Sequence, residues 1–254
     1  MEKVHLYVDR LSQPSRAILI FCMVNKVDFE EHLINLAKRD HKQPEFKAIN
    51  ALGYVPAIDV GGFKLFESHA ILRYLCYAYP CVQDHWYPSD LAQRARIDSI
   101  LDWHHSNLRR GSAGLVLNRV LGPALGLPLN PQAASEAENL LKLSLSKLET
   151  FWLPGNDRFL TGSYEPSIAD LSLACEVMQL ELLDRNDIDM LLGPREKVRK
   201  WIEKVKKATE PYFEEAHDKL YKASMRLHGN KLQVNSNGTA LALDSSRKAL
   251  SSKL

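Results

Sequence analysis

The sequence predicts an α+β protein in two parts, a mixed sheet-and-helix domain followed by an all-helical one. Over the first 80 residues, short extended runs alternate with helical patterns, whereas almost every segment after Asp90 has the helical period. The length, 254 residues, allows two domains that each bury a core.

Val4-His5-Leu6-Tyr7-Val8 is a β-type run, Pro14 opens a helical stretch to about Val24, and Phe29 to Ile34 reads as extended again, which completes a β-α-β unit. A short helical stretch from Pro44 to Ile49 follows. Val55 to Asp59, a Gly61-Gly62 turn and Phe63 to Phe66 form a predicted hairpin. From Ser68, residues Ala70, Ile71, Tyr74, Leu75 and Ala78 recur at helical spacing, so that helix has one apolar stripe to lay on the sheet. The expected divisions are a first domain over 1–82, a linker over 83–90, a helical domain over 91–228 and a flexible tail over 229–254. Helices are expected from Leu91 to Arg110, Pro131 to Phe151, Ser167 to Leu183, Arg195 to Ala208 and Tyr212 to Leu227.

Basic and acidic residues nearly cancel, 33 against 31, so no global field draws in nucleic acid or an anionic membrane, and a small-molecule partner is expected. No apolar run approaches the roughly 20 residues that span a bilayer, and the first residues lack a signal-peptide pattern, so neither a membrane span nor secretion is expected. Cys22, Cys76, Cys81 and Cys175 have no C-x-x-C or metal-ligand spacing and read as reduced packing residues. There is no Gly-rich phosphate loop, His/Cys metal pattern or G-x-S-x-G elbow, so no metal and no tightly bound cofactor are expected.

What remains is distributed over three loops. Ser12 precedes Pro14, which puts its hydroxyl at the positive end of the first helix, a place for an anion or for a simple N-cap. Val55-Pro56 opens a strand where proline removes a ladder donor; the segment is either an edge with no ligand or a place where an extended peptide pairs with Val55. Glu67-Ser68 precedes a helix whose first free N–H groups suit a carboxylate, with Glu67 available to an ammonium; taken singly it is also an ordinary cap.

Together these segments resemble the theta class of glutathione transferases, from Val4 to about Leu227. The resemblance rests on Ser12-Gln13-Pro14-Ser15-Arg16-Ala17, Leu52-Gly53-Tyr54-Val55-Pro56-Ala57, Glu67-Ser68-His69-Ala70-Ile71-Leu72 and His85-Trp86-Tyr87-Pro88. Leu108-Arg109-Arg110 and Pro166-Ser167-Ile168-Ala169-Asp170-Leu171 fit the same class. It implies a thioredoxin-like N-terminal domain that binds glutathione as co-substrate, and a helical domain that supplies most of a pocket for hydrophobic electrophiles or organic hydroperoxides.

By the same resemblance, Ser12 stabilises the glutathione thiolate and Arg109 reaches the active site, although a solvated or dipole-complementing cation is the alternative for Arg109. Gln13, Tyr54, Val55, cis-Pro56, Glu67 and Ser68 contact the tripeptide, and His41 with Lys42 lies toward its glycyl end. Similar proteins are homodimers, with Arg73, Tyr77 and the stretch from Leu91 to Asp102 as candidate contacts. Leu117 and Val120 are candidates for the hydrophobic pocket, which the helix from Tyr212 to Tyr221 could cover. Ser167 and Asp170 read as a capping box, a structural feature. A non-catalytic carrier on the same fold is the competing reading, whereas a thiol transferase would require a cysteine where Ser12 stands. The chain ends Ser252-Lys253-Leu254, the form read by the peroxisomal import receptor, so peroxisomal residence with a cytosolic share is expected.

Overall fold

The computed structural model describes residues 2–153 and 158–234. In chain order the first domain comprises β1 (Val4–Val8), α1 (Gln13–Val24), β2 (Phe29–Leu33), α2 (Pro44–Lys47), β3 (Ala57–Val60), β4 (Phe63–Phe66) and α3 (Ser68–Ala78). The four strands form one mixed sheet in the order β2-β1-β3-β4, with β1 parallel to β2 and antiparallel to β3. This is the thioredoxin-like domain expected from the alternation of short runs. Val4, Leu6 and Val8 alternate inward from β1 and are buried against Ile18, Phe21 and Cys22 of α1 and Ile71, Leu72 and Leu75 of α3. Each fully buried aliphatic or aromatic side chain of this kind contributes about 1.5–3 kcal/mol. Pro56 precedes β3 instead of opening it, and the Val55–Pro56 peptide is cis.

The second domain is helical: α4 (Leu91–Ser106), α5 (Leu108–Val116), the short α6 (Gly122–Ala124), α7 (Pro131–Lys147), α8 (Ile168–Val177), α9 (Arg185–Leu192), α10 (Glu196–Ala208) and α11 (Tyr212–Val234). The single helix expected from Leu91 to Arg110 is divided at Asn107, whose φ of −120° and ψ of −80° leave the helical region. Its backbone and side-chain amides both donate to the Trp103 carbonyl, closing the end of α4. Gly111 then lets α5 approach α7, because a Cβ there would lie 2.6 Å from the Leu141 amide nitrogen. The stretches expected as continuous helix from Pro131 to Phe151 and from Ser167 to Leu183 change winding near their ends, into a π-helical turn at Leu148–Trp152 and a 3-10 turn at Met178–Leu182. α9 was not expected, being short and highly charged.

The segment read as the linker joins α3 to α4 and is pinned down, with Trp86 buried edge-on to Phe21 and His85 Nδ1 2.6 Å from the Pro166 carbonyl oxygen. Other expectations are corrected. The last helix continues to Val234, past the tail boundary placed at residue 229, while Ser252, Lys253 and Leu254 lie outside the described residues. Cys22 and Cys175 are buried packing residues whose thiols burial pushes up, but Cys81 is exposed and packs no core.

The capping box forms as expected. Ser167 Oγ accepts from the Asp170 amide, and Asp170 Oδ2 accepts from the Ser167 amide. The same buried carboxylate takes the Leu160 amide and the Trp201 indole, so it also ties α10 and the 158–163 segment to α8.

Candidate active site

The strand registers bring the scattered loops to one end of the sheet. Val8 at the end of β1 lies beside Leu33 at the end of β2, and Tyr7 faces Ala57 at the start of β3, which in turn faces Phe66 at the end of β4. The chain therefore leaves or enters the sheet at this end through Ser12, His41 and Lys42, Val55 and Pro56, and Glu67 and Ser68. Two helices, α1 and α3, begin here and direct their free N–H groups and partial positive charge to the same edge.

Ser12 is the N-cap residue of α1 by backbone position, yet its side chain caps nothing and bonds to no described residue. The residue as a whole is buried, 9% exposed. The loop around it is held by Asp9, which is buried and accepts from the amides of Leu11 and Leu36 and from Lys219 Nζ of α11 at 2.8 Å. Arg16, completely buried, fixes the other side. Its guanidinium donates to the Arg10 and Leu11 carbonyls and, across the domain interface, to Cys175 O and Gln179 Oε1.

Glu67 has φ of +70° and ψ of 110°, a conformation costly for a side chain with a Cβ, and such conformations cluster where function requires them. Its carbonyl begins the α3 ladder while its exposed side chain makes no cap, so the amides of the first turn face outward. Tyr54 is exposed, and Lys42 Nζ stands 5.2 Å from its ring centroid; Gly53, at φ +65°, allows the His41 carbonyl to pack close by. Partial burial and then the neighbouring Lys42 and Arg39 charges push the His41 imidazole down, favouring its neutral form. Ser12, His41, Lys42, Tyr54, Val55, Pro56, Glu67 and Ser68 thus share one rim.

Gln13 and Arg109 are engaged elsewhere. Both reach Glu176, a fully buried carboxylate on α8: Gln13 Nε2 donates to Oε1 at 3.2 Å and Arg109 Nη1 to Oε2 at 3.0 Å. Ser112 Oγ donates to the same Oε1, and His104 Nε2 lies 3.4 Å from Oε2 without the alignment of a hydrogen bond. Burial pushes this carboxyl up, but His104, Arg109 and Ser112 outweigh it and hold it at about 2, so it stays charged. His104 Nδ1 is in turn 3.2 Å from Nε2 of His69, the residue after Ser68, and burial pushes His69 down to about 2. The network therefore runs from beside Ser68, through Glu176, to the residue after Ser12.

Sequence reasoning missed Asp9, His104, Ser112 and Glu176. The usable signal was an isolated carboxylate in a segment apolar on nearly every face, Leu171 to Leu180, since such a helix is buried all round and its charge requires partners. Of the pocket candidates, Val120 lines a cavity of about 330 Å³ with Leu182, Leu183 and Leu227, and Leu117 is half exposed. Arg73 pairs within the chain to Asp98 of α4, while Tyr77 and Leu91 are exposed.

Comparison with known proteins agrees with this arrangement. Residues 2–76 match the glutathione S-transferase N-terminal domain family. The chain is similar to Glutathione S-transferase T1 of Arabidopsis thaliana, 65% identical over 87% of this chain and 91% of that protein. It is 39% identical to human Glutathione S-transferase theta-1 over 87% of this chain and 90% of its relative. Among solved structures, a human theta-class transferase in complex with the glutathione conjugate of 1-menaphthyl sulfate superposes with a TM-score of 0.80 at 31% identity, covering 99% of both chains. The shared fold, the sequence identity over nearly the whole length and the convergence of two helix N-termini with a cis-proline loop lead to one conclusion: the chain belongs to the theta class of the glutathione S-transferase family, enzymes that use glutathione as co-substrate.

Proposed function

We propose that Ser12 Oγ donates a hydrogen bond to the glutathione sulfur and so favours its thiolate, which attacks hydrophobic electrophiles or the O–O bond of organic hydroperoxides. The observation that carries this reading is a serine hydroxyl with no partner of its own at the N-terminus of α1, on the rim where the other loops meet. A thiol of pKa about 8.5 is only a few per cent ionised at pH 7, and lowering it by two units, about 2.7 kcal/mol, makes the thiolate dominant. One hydrogen bond to a charged group contributes about 1.5–3 kcal/mol, so Ser12 with the α1 dipole is sufficient.

Along the tripeptide, the first-turn amides of α3 with Ser68 receive the γ-glutamyl carboxylate, and Glu67 receives its ammonium. The Val55 main chain, outside the sheet ladder, pairs with the cysteinyl unit next to cis-Pro56, while His41 and Lys42 face the glycyl carboxylate. Arg109 holds Glu176 through Nη1, and in this reading the rest of its guanidinium supplies the cation for the leaving group. In conjugation the sulfur electron pair displaces that group from carbon. With a hydroperoxide, sulfur attacks the terminal oxygen, the alkoxide leaves and takes a proton, and the glutathione sulfenic acid reacts with a second glutathione to give the disulfide and water. A homodimer and, through Ser252-Lys253-Leu254, peroxisomal import with a cytosolic share complete the proposal.

The test is turnover of cumene hydroperoxide and of a benzyl halide with glutathione by the native chain and Ser12→Ala. A loss of tenfold or more with either substrate supports the serine role. Undiminished turnover removes Ser12 from the chemistry, and glutathione binding without turnover of either substrate would favour a carrier.

A further inference from the structure

The geometry points to a site for a divalent transition ion of the zinc type on the outer face of the sheet, formed by His5 Nδ1, His32 Nε2 and the Glu30 carboxylate. The pleat turns Val4, Leu6 and Val8 inward and leaves His5 and Tyr7 on the opposite face, where the parallel register puts Glu30 beside His5 and His32 beside Tyr7. His5 Nδ1 and His32 Nε2 are 3.0 Å apart. Glu30 Oε2 is 3.7 Å from the first nitrogen and Oε1 3.7 Å from the second.

These separations suit a metal's coordination polyhedron after a small side-chain adjustment. With metal–ligand distances of about 2.0–2.1 Å, two ligand atoms on a tetrahedral ion lie about 3.3 Å apart, close to the 3.0 Å between the two ring nitrogens, and one ligand oxygen of Glu30 lies within 4.8 Å of both. Three protein ligands then occupy one face of the tetrahedron, and solvent supplies the fourth. Two imidazoles and a carboxylate suit Zn²⁺ and also accept Co²⁺ and Ni²⁺, whereas Ca²⁺ and Mg²⁺ prefer all-oxygen shells.

The ligands are pre-positioned by the strands and by stacking. The His32 ring lies on Tyr7, with centroids 4.7 Å apart and planes 18° from parallel, and Tyr7 touches Phe46 of α2 edge-on. The face also carries acidic side chains, Glu30 on β2 and Asp59 on β3. Asp59 lies opposite His5 on β3, with Oδ1 engaged by the Gly62 amide. No residue of the glutathione rim belongs to the cluster, and the separation of 27 positions between His5 and His32 explains why linear spacing gave no metal signal.

The test is calorimetric titration of the full-length chain, without an affinity tag, with ZnCl₂ in a non-chelating buffer, repeated on Glu30→Gln, His32→Gln and the His5→Gln/His32→Gln double variant. One saturable equivalent is expected for the native chain, weakened at least tenfold in each single variant and lost in the double. Because the ion would tie β1 to β2, a hundredfold excess of zinc over Kd should raise Tm by at least about 5 °C in the native chain and leave the double variant unmoved. Unchanged glutathione turnover without zinc verifies that the variants fold. No saturable native binding, or a double variant that keeps the affinity, overturns the site.

Discussion

Glu176→Gln tests the buried network most directly, because the substitution keeps the shape and removes only the charge. In the native chain the carboxylate is held at about 2, against an ordinary value of 4.5. At 1.36 kcal/mol per pH unit, that depression corresponds to about 3 kcal/mol in favour of folding at pH 7. Independently, breaking a buried ion pair by removing one partner costs about 3–5 kcal/mol, and Arg109 would lose its only close carboxylate among the described residues. On either ground, urea unfolding followed by tryptophan fluorescence should place Glu176→Gln about 3 kcal/mol below the native chain at pH 7. A carboxyl depressed in the folded state stabilises above its unfolded value, and that contribution disappears as pH falls from about 4.5 through 2. The gap between native and variant should therefore shrink to less than half by pH 3. A gap under about 1 kcal/mol at pH 7, or one independent of pH, would refute the assignment of Glu176 as the charged centre of the network.

Ser12→Ala should leave stability within about 0.5 kcal/mol of native, since the hydroxyl caps nothing, while turnover falls tenfold or more; a comparable loss of Tm would mean that the serine is structural after all. Ser167→Ala should lower stability by about 1 kcal/mol and spare turnover at saturating glutathione, as a thermal melt and a rate measurement would show. Gly111→Ala forces a methyl to within 2.6 Å of the α7 backbone, and a cost of about 1–3 kcal/mol in chemical denaturation is expected; an unchanged midpoint would contradict the tight α5–α7 crossing. Removing Ser252 to Leu254 from a fluorescent fusion should shift the signal from peroxisomes to cytosol, and continued import would exclude the tripeptide as the address.

The order of strands and helices in the first domain could be read in the sequence because each element announces itself locally. Alternating apolar residues in β1, a proline at the start of α1 and an apolar stripe on α3 depend on neighbours two to four positions away. The rim residues were legible for the same reason: Ser12 before Pro14, Val55 before Pro56 and Glu67 before the α3 stripe are local patterns. Tertiary structure alone decided the rest. Strand pairing brought four loops to one sheet end and put His5, Glu30 and His32 on one face. Glu176 lies 163 residues from Gln13 and 67 from Arg109, so no window along the chain contains its partners. The division at Asn107 and the approach of α5 to α7 at Gly111 likewise belong to the tertiary structure. Local sequence determines which conformations a segment favours; the choice of partners for buried charges and free loop ends belongs to long-range packing, where desolvation makes an unpaired charge too costly to keep.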